Sequence, residues 1–207
     1  MIDDLIECER KFGGLHTGVK RNKVSPLDPR SPATLAHGGM TGGDRMLHHQ
    51  YATIYSACLP DVSEEITLVE LGILRGVGLA IWCELFPNAR VIGLDVDLSH
   101  YKENEQNLRK LGAFRNHSPE VYEYDELAPT NAMRLRSILG GDSIDVCIDD
   151  ALHYDEAILK AARDLMPFMR DGGVYFIEDN AKVHEQIRRI YPTNKVVSAG
   201  KMTVIQC

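Results

Sequence analysis

The sequence predicts an α/β domain built on seven strands, mostly parallel with an antiparallel last strand, and covered by helices on both faces. Three observations predict it. An apolar run from Ile66 to Leu71 leads into Gly72, Gly76 and Gly78, an apolar-faced helical run follows and stops at Pro87, and a second apolar run, Val91 to Leu94, ends in Asp95; strand, tight turn, helix and parallel strand is the reading of that order. Apolar strand-length runs then keep alternating with helical ones. Finally, Lys195–Ser198 and Met202–Gln206 are separated only by Ala199-Gly200-Lys201, and so short a turn makes a hairpin, which forces the last strand antiparallel. The arrangement is Rossmann-like.

Taken in order, residues 1–12 form a short helix with Leu5, Ile6 and Phe12 on one side, stopped by Gly13-Gly14. From Gly13 to Gly43 there are seven glycines and three prolines, and between Arg10 and Arg30 six basic residues against one acid, Asp28. Residues 1–43 thus read as an arm, either solvated or serving as a lid over a polar or anionic ligand, and residues 44–207 as the folded domain. A helix from Asp44, a plausible N-cap, to Leu59 carries Leu47, Tyr51, Ile54 and Tyr55 at helical spacing. Beyond Asp97 come a polar helix from His100 to Leu111, a third strand Val121–Asp125, a helix Asn131–Leu139 ended by Gly140-Gly141, and a fourth strand running into Ile148-Asp149-Asp150. The helix Tyr154–Met166 has the apolar stripe Ile158, Ala161, Ala162 and Leu165. After an Asp171-Gly172-Gly173 turn the fifth strand, Val174–Ile177, ends in Glu178-Asp179-Asn180, and a helix Val183–Ile190 leads to the hairpin.

At 207 residues the chain suits one domain with a substantial core, and its 44% hydrophobic content is ordinary. Cys8, Cys58, Cys83, Cys147 and Cys207 show no C-x-x-C spacing and read as reduced thiols of a cytoplasmic protein. No apolar run approaches the roughly 20 residues that span a bilayer. A net charge of −7 argues against nucleic acid as a partner. An arm that docks on a neighbouring subunit points to a homodimer.

In an open parallel sheet, ligands bind beyond the carboxyl ends of the strands, which places Asp95, Asp125, Asp149, Asp150, His153, Glu178 and Asp179 on one rim. Glycines at the first turn let a ligand approach the backbone and the following helix N-terminus, and Asp95 stands where a carboxylate accepts hydrogen bonds from a ribose diol. The glycines read G-x-x-x-G-x-G, not the G-x-G-x-x-G of a dinucleotide site. Asp125 reads equally as a turn former, and Asp150 or Asp179 as helix caps. Crowded carboxylates either share a proton or bind a cation, and oxygen donors suit a hard one such as magnesium.

Glu70-x-Gly72-x-x-x-Gly76 resembles motif I of the class I S-adenosylmethionine-dependent methyltransferases. Together with Gly43-Asp44-Arg45, His49-x-Tyr51, Ile92-Gly93-Leu94-Asp95, Ile148-Asp149-Asp150-x-x-His153 and Ile177-Glu178-Asp179, it resembles the metal-dependent O-methyltransferases of natural-product biosynthesis, whose best-understood members act on macrolide deoxysugars. The resemblance runs from Gly42 to Asn180; Ala151-Leu152 stand where the family usually has Gly-Ser. It implies a class I methyltransferase fold, a magnesium ion held by Asp150, Glu178 and Asp179, and His153 as general base. It implies S-adenosylmethionine contacts at Glu70, Gly72 and Asp95, with Gly76, Asp125, Asp149, His49 and Tyr51 lining the same cleft. The implied acceptor is a small polar secondary metabolite with a sugar-like hydroxyl; Lys182 and His48 beside the rim suit an anionic phosphonate or phosphate oxygen as the alternative. From other classes, a nicotinamide-dependent oxidoreductase and a non-catalytic nucleoside-binding protein remain as rival readings.

Overall fold

In the computed structural model, residues 1–13, 45–46, 49–129 and 131–207 are described. Asp44, Leu47, His48 and the arm from residue 14 onward lie outside them. Seven strands, β1 (Thr67–Leu71), β2 (Arg90–Asp95), β3 (Glu120–Glu123), β4 (Ile144–Asp149), β5 (Met169–Ile177), β6 (Lys195–Ala199) and β7 (Met202–Gln206), form one sheet in the order β3-β2-β1-β4-β5-β7-β6. All neighbours from β3 to β5 pair in parallel, and β7 runs antiparallel to both β5 and β6. The chain builds outward from β1 to β3, then returns to place β4 on the other side of β1. That reversal is the switch point, with Leu71 level with Asp149, and it opens the cleft where such sheets bind ligands.

Seven α-helices lie among the described residues: α1 (Ile2–Phe12), α2 (Ala52–Cys58), α3 (Val77–Leu85), α4 (Ser99–Lys110), α5 (Asn131–Leu139), α6 (Asp155–Leu165) and α7 (His184–Ile190). Alternate residues of the central strands feed opposite faces of the sheet. Leu68, Val91, Val146, Ile148, Val174 and Phe176 pack against α1 to α4, chiefly on Trp82, Tyr55 and Phe12. Val69, Leu71, Ile92, Leu94, Cys147 and Tyr175 pack against α5 to α7, chiefly on Leu135, Ile158, Leu165 and Ile187. All five residues of β1 are buried, as a parallel strand covered on both faces requires.

Three expectations are corrected. The helix does not begin at residue 44: Gln50 adopts φ +62°, a left-handed turn that a helix does not contain, and α2 starts at Ala52. Residues 1–12 are not part of a detached arm, because Leu5 and Phe12 are buried against α2 and α3; each such side chain contributes on the order of 2 kcal/mol by leaving water. The Asp171-Gly172-Gly173 stretch lies inside β5. Its amides already pair with the chain end, Gly172 N–H donating to Cys207 O at 2.8 Å and Cys207 N–H to Gly173 O at 2.9 Å, while the register against β4 shifts through a bulge. No helix among the described residues is long and apolar enough to cross a membrane.

Candidate active site

The turn after β1 is made by backbone geometry that only glycine adopts freely. Gly72 has φ +85° and Gly76, which caps α3, has φ +75°. A side chain on Gly72 would collide with the Asp150 carbonyl and approach Ala151 Cα to 2.6 Å, so this turn lies directly against the loop that leaves β4. Asp95 then locks it: Oδ2 accepts from Ile73 N–H at 3.0 Å and Leu74 N–H at 2.9 Å, and Oδ1 from Asp97 N–H at 3.1 Å. A carboxylate offers about four lone-pair sites, so Asp95 keeps capacity for a further donor.

Beyond β3, the exposed Asp125 accepts from Leu127 N–H at 2.9 Å and closes a turn, whereas its neighbour Glu126 points inward and is only 5% exposed. Neither Glu126 oxygen has a well-formed hydrogen bond. Burial, then the charge of Asp149, push its pKa up to about 8. Asp149 is buried too, accepts from Tyr175 O–H at 3.1 Å, and is pushed up to about 7 by burial. Two buried carboxyls near neutrality therefore lie close enough to influence one another, at the carboxyl ends of β3 and β4.

At the ends of β4 and β5, Asp150, His153 and Asp179 each present a ligand atom, all within 4.8 Å of one another. Asp179 sits at φ +55°, and a non-glycine residue held there turns its carboxylate onto the rim. Its Oδ1 accepts from Tyr51 O–H at 2.6 Å and lies 3.7 Å from His49 Nδ1; His49 and Tyr51 stack with ring centroids 5.3 Å apart. Burial, then Asp179, raise the Tyr51 phenol, so it remains a donor. His153 Nε2 stands 4.0 Å from Asp150 Oδ1.

The expected carboxylate trio is divided. Adjacent residues at a strand end point in opposite directions, so Glu178 faces inward, 2% exposed, while Asp179 faces the rim and His153 takes the third place in the cluster. Glu178 Oε1 lies 2.7 Å from Arg45 Nε and accepts from Tyr55 O–H. Glu70 is likewise turned beneath the turn rather than into the cleft, 1% exposed, with Oε1 2.7 Å from Arg45 Nη1. Arg45 Nη2 completes the set, donating to Asp150 Oδ2 at 2.8 Å, and its guanidinium lies 5.6 Å over the Trp82 ring. Burial opposes the charge on Arg45, but Glu178, Glu70 and Asp150 outweigh it and hold its pKa well above the ordinary value. Burial likewise raises Glu70 and Glu178, against the pull of Arg45. Sequence reasoning missed Arg45 and Glu126; the only signal for Arg45 was its place in the Gly43-Asp44-Arg45 motif. Lys182 is exposed on the turn that follows, its backbone N–H donating to Asn180 Oδ1, and His48 lies outside the described residues.

The sheet order, the glycine turn at the switch point and the acidic rim define a class I methyltransferase fold. No protein-family model matches the sequence. The chain is similar to the 8-demethyl-8-alpha-L-rhamnosyl tetracenomycin-C 2'-O-methyltransferase of Streptomyces olivaceus, 27% identical over 149 residues, which cover 67% of this chain and 35% of that one. It is similar to the demethylmacrocin O-methyltransferase of Streptomyces fradiae, 27% identical over 124 residues, 56% of this chain and 28% of that one. The chain thus matches about a third of the length of these curated relatives. Among solved structures, the MycE methyltransferase from the mycinamycin biosynthetic pathway, in complex with Mg, S-adenosylhomocysteine and mycinamycin VI, superposes with a TM-score of 0.59 at 20% identity, covering 77% of this chain and 49% of that one. An O-methyltransferase family protein from Burkholderia thailandensis superposes with a TM-score of 0.54 at 15% identity, covering 99% and 70%. Both likenesses bear on the fold.

Proposed function

We propose that this chain carries the catalytic centre of an S-adenosylmethionine-dependent O-methyltransferase of secondary-metabolite biosynthesis, acting on a hydroxyl of a small polar acceptor such as a sugar. One observation carries the reading: Asp150, His153 and Asp179 come within 4.8 Å of one another beside a glycine turn at the switch point of the sheet. The two carboxylates fit a hard divalent cation such as Mg2+, which takes oxygen donors, and leave the His153 imidazole beside them available as a base. Bound in this cleft, S-adenosylmethionine would supply an electrophilic methyl group and the cation would lower the pKa of an acceptor hydroxyl.

The chain's own residues do the rest. Asp95 and the Gly72–Gly76 turn would bind and orient the nucleoside, and Asp150 and Asp179 would hold the cation. His153 Nε2, exposed on the rim, takes the hydroxyl proton. Tyr51 fixes the Asp179 carboxylate, and Asp149 would line the cleft. The catalytic domain in this reading is residues 44–207 together with α1. Its five cysteines are free, which suits a cytoplasmic enzyme, and its partner is a small-molecule acceptor, with neither nucleic acid nor membrane. The assembly we propose is a homodimer, checked by sedimentation.

Calorimetric titration with S-adenosylhomocysteine, with and without magnesium, followed by a methyl-transfer screen over sugars and phosphonates, tests the reading. Binding with magnesium-dependent turnover of a hydroxyl acceptor is the expected result; no binding under either condition overturns it. Replacing His153 by Ala should lower turnover about 10²- to 10⁴-fold, the ordinary worth of a positioned base. A mild effect would point instead to an acceptor oxygen that is already ionised.

A further inference from the structure

We infer that Arg45 is a positioning residue that couples the cation site to the cofactor turn, so that each ligand binds more tightly when the other is present. The inference rests on the reading that this cleft takes S-adenosylmethionine and a divalent cation. The observation behind it is that one rigid guanidinium is shared among three carboxylates, each belonging to a different part of the site. Nη1 meets Glu70, two residues before Gly72; Nη2 meets Asp150; Nε meets Glu178, the neighbour of Asp179.

Asp150 is the pivot. Its Oδ2 is taken by Arg45 at 2.8 Å, while its Oδ1 faces His153 and the cation cluster. A cation drawing on Asp150 and Asp179 would therefore act on one carboxylate that Arg45 holds directly and on another whose chain neighbour, Glu178, Arg45 also holds. From Asp150 the effect reaches the turn by two routes. Along the main chain, Asp150 N–H donates to Leu71 O at 2.8 Å, and Gly72 has no room for a side chain against the Asp150 carbonyl. Through the side chain, Arg45 passes any displacement of Asp150 to Glu70 beneath the same turn. The molecule makes room for that second route: a Cβ on Gly78 would stand 2.5 Å from Arg45 Nη1 and run into Glu70 Oε1, so α3 carries a glycine in its first turn opposite the pair.

The sign follows from order. Whichever ligand binds first fixes the Asp150 loop and the Gly72 turn together, and the second finds them already fixed, which is positive cooperativity. A planar fork with five donors can hold three carboxylates at once, and an ammonium, a single point charge on a flexible stem, cannot. A residue that only held the fold together would change stability and leave the coupling alone.

The test measures binding rather than turnover. S-adenosylhomocysteine is titrated calorimetrically into the protein stripped with chelator and again at saturating Mg2+, and Mn2+ affinity is read by electron paramagnetic resonance with and without S-adenosylhomocysteine. In the natural protein each ligand should tighten the other by about tenfold, and by the same factor in both directions, as linkage requires. In Arg45→Lys both ligands should still bind, with a coupling factor within about twofold of one. Glu70→Gln, which keeps Arg45 and nearly the same shape, should lower the factor as well, and it carries the test if Arg45→Lys shows no cooperative melting. Coupling that survives both substitutions, or independent binding in the natural protein, overturns the inference while leaving the proposed function standing. A natural protein that binds no S-adenosylhomocysteine overturns the function itself.

Discussion

Glu126 is a carboxylate in a poor place to ionise, and its stability signature follows from that. An unfolded glutamate titrates near about 4.3, whereas burial lifts Glu126 to about 8. Between these values the unfolded chain has lost the proton and the folded chain still holds it, so stability falls as pH rises, by about 1.4 kcal/mol per pH unit within the window. Glu126→Gln removes that dependence. Its melting temperature should match the natural protein near pH 5 and exceed it increasingly towards pH 8; an offset that does not change with pH would refute the assignment. On the rim, Tyr51→Phe deletes the 2.6 Å hydrogen bond to Asp179. Such supporting contacts are typically worth about 10- to 100-fold in metal affinity, a loss that Mn2+ titration would register. Legibility at this scale is uneven. Strand-end acids can be read from the sequence because a strand end is a place on a line, but which of two adjacent acids faces inward depends on the phase of the strand. That is why Asp125 drew attention and Glu126 did not, and why Asp179 reached the rim while Glu178 turned under it. Glu70 looked like a ligand for the cleft because its partner, Arg45, enters from a segment outside the β1–α3 unit.

Among the elements, the central strands β1, β2 and β4 were legible, and the starts of β5 and of the second helix were not. Buried parallel strands such as β1 and β4 are continuous apolar runs bounded by turn residues, and little competes with that reading. The stretch before Ala52 keeps the helical spacing of Leu47, Tyr51, Ile54 and Tyr55, yet the chain breaks at Gln50. The break lets Tyr51 and His49 reach Asp179, a tertiary contact that periodicity does not encode. Helix α3 gives the sharper test. Replacing a helical glycine by alanine ordinarily stabilises a protein by up to about 1 kcal/mol. At Gly78 the new methyl would press into the Glu70–Arg45 pair, and overpacking costs about 1–3 kcal/mol. Gly78→Ala should therefore lower the urea midpoint without changing the m-value; a higher midpoint would show that the pair yields easily.

Among the described residues, the molecule is a sheet whose two faces are closed by apolar packing and whose rim at the carboxyl ends of β4 and β5 is acidic. Glu70, Asp150 and Glu178 gather around the guanidinium of Arg45, while Asp150 and Asp179 both present carboxylate oxygens on the rim beside His153, where like charges repel. A divalent cation would relieve that repulsion, and any ligand that binds only the folded chain stabilises it by mass action. At about 100 times its dissociation constant such a ligand adds about 2.7 kcal/mol, and in a domain of this size each kcal/mol raises the melting temperature by about 2–4 °C. S-adenosylhomocysteine at that excess should thus raise the melting temperature by about 5–11 °C, and magnesium should raise it further. In an Asp150→Asn, Asp179→Asn double variant the magnesium increment should vanish while most of the cofactor increment remains, because the Gly72–Gly76 turn and Asp95 are untouched. Loss of both increments together would mean that rim and turn form one site rather than two neighbouring ones. A magnesium increment that persists would mean that the cation sits elsewhere than between β4 and β5.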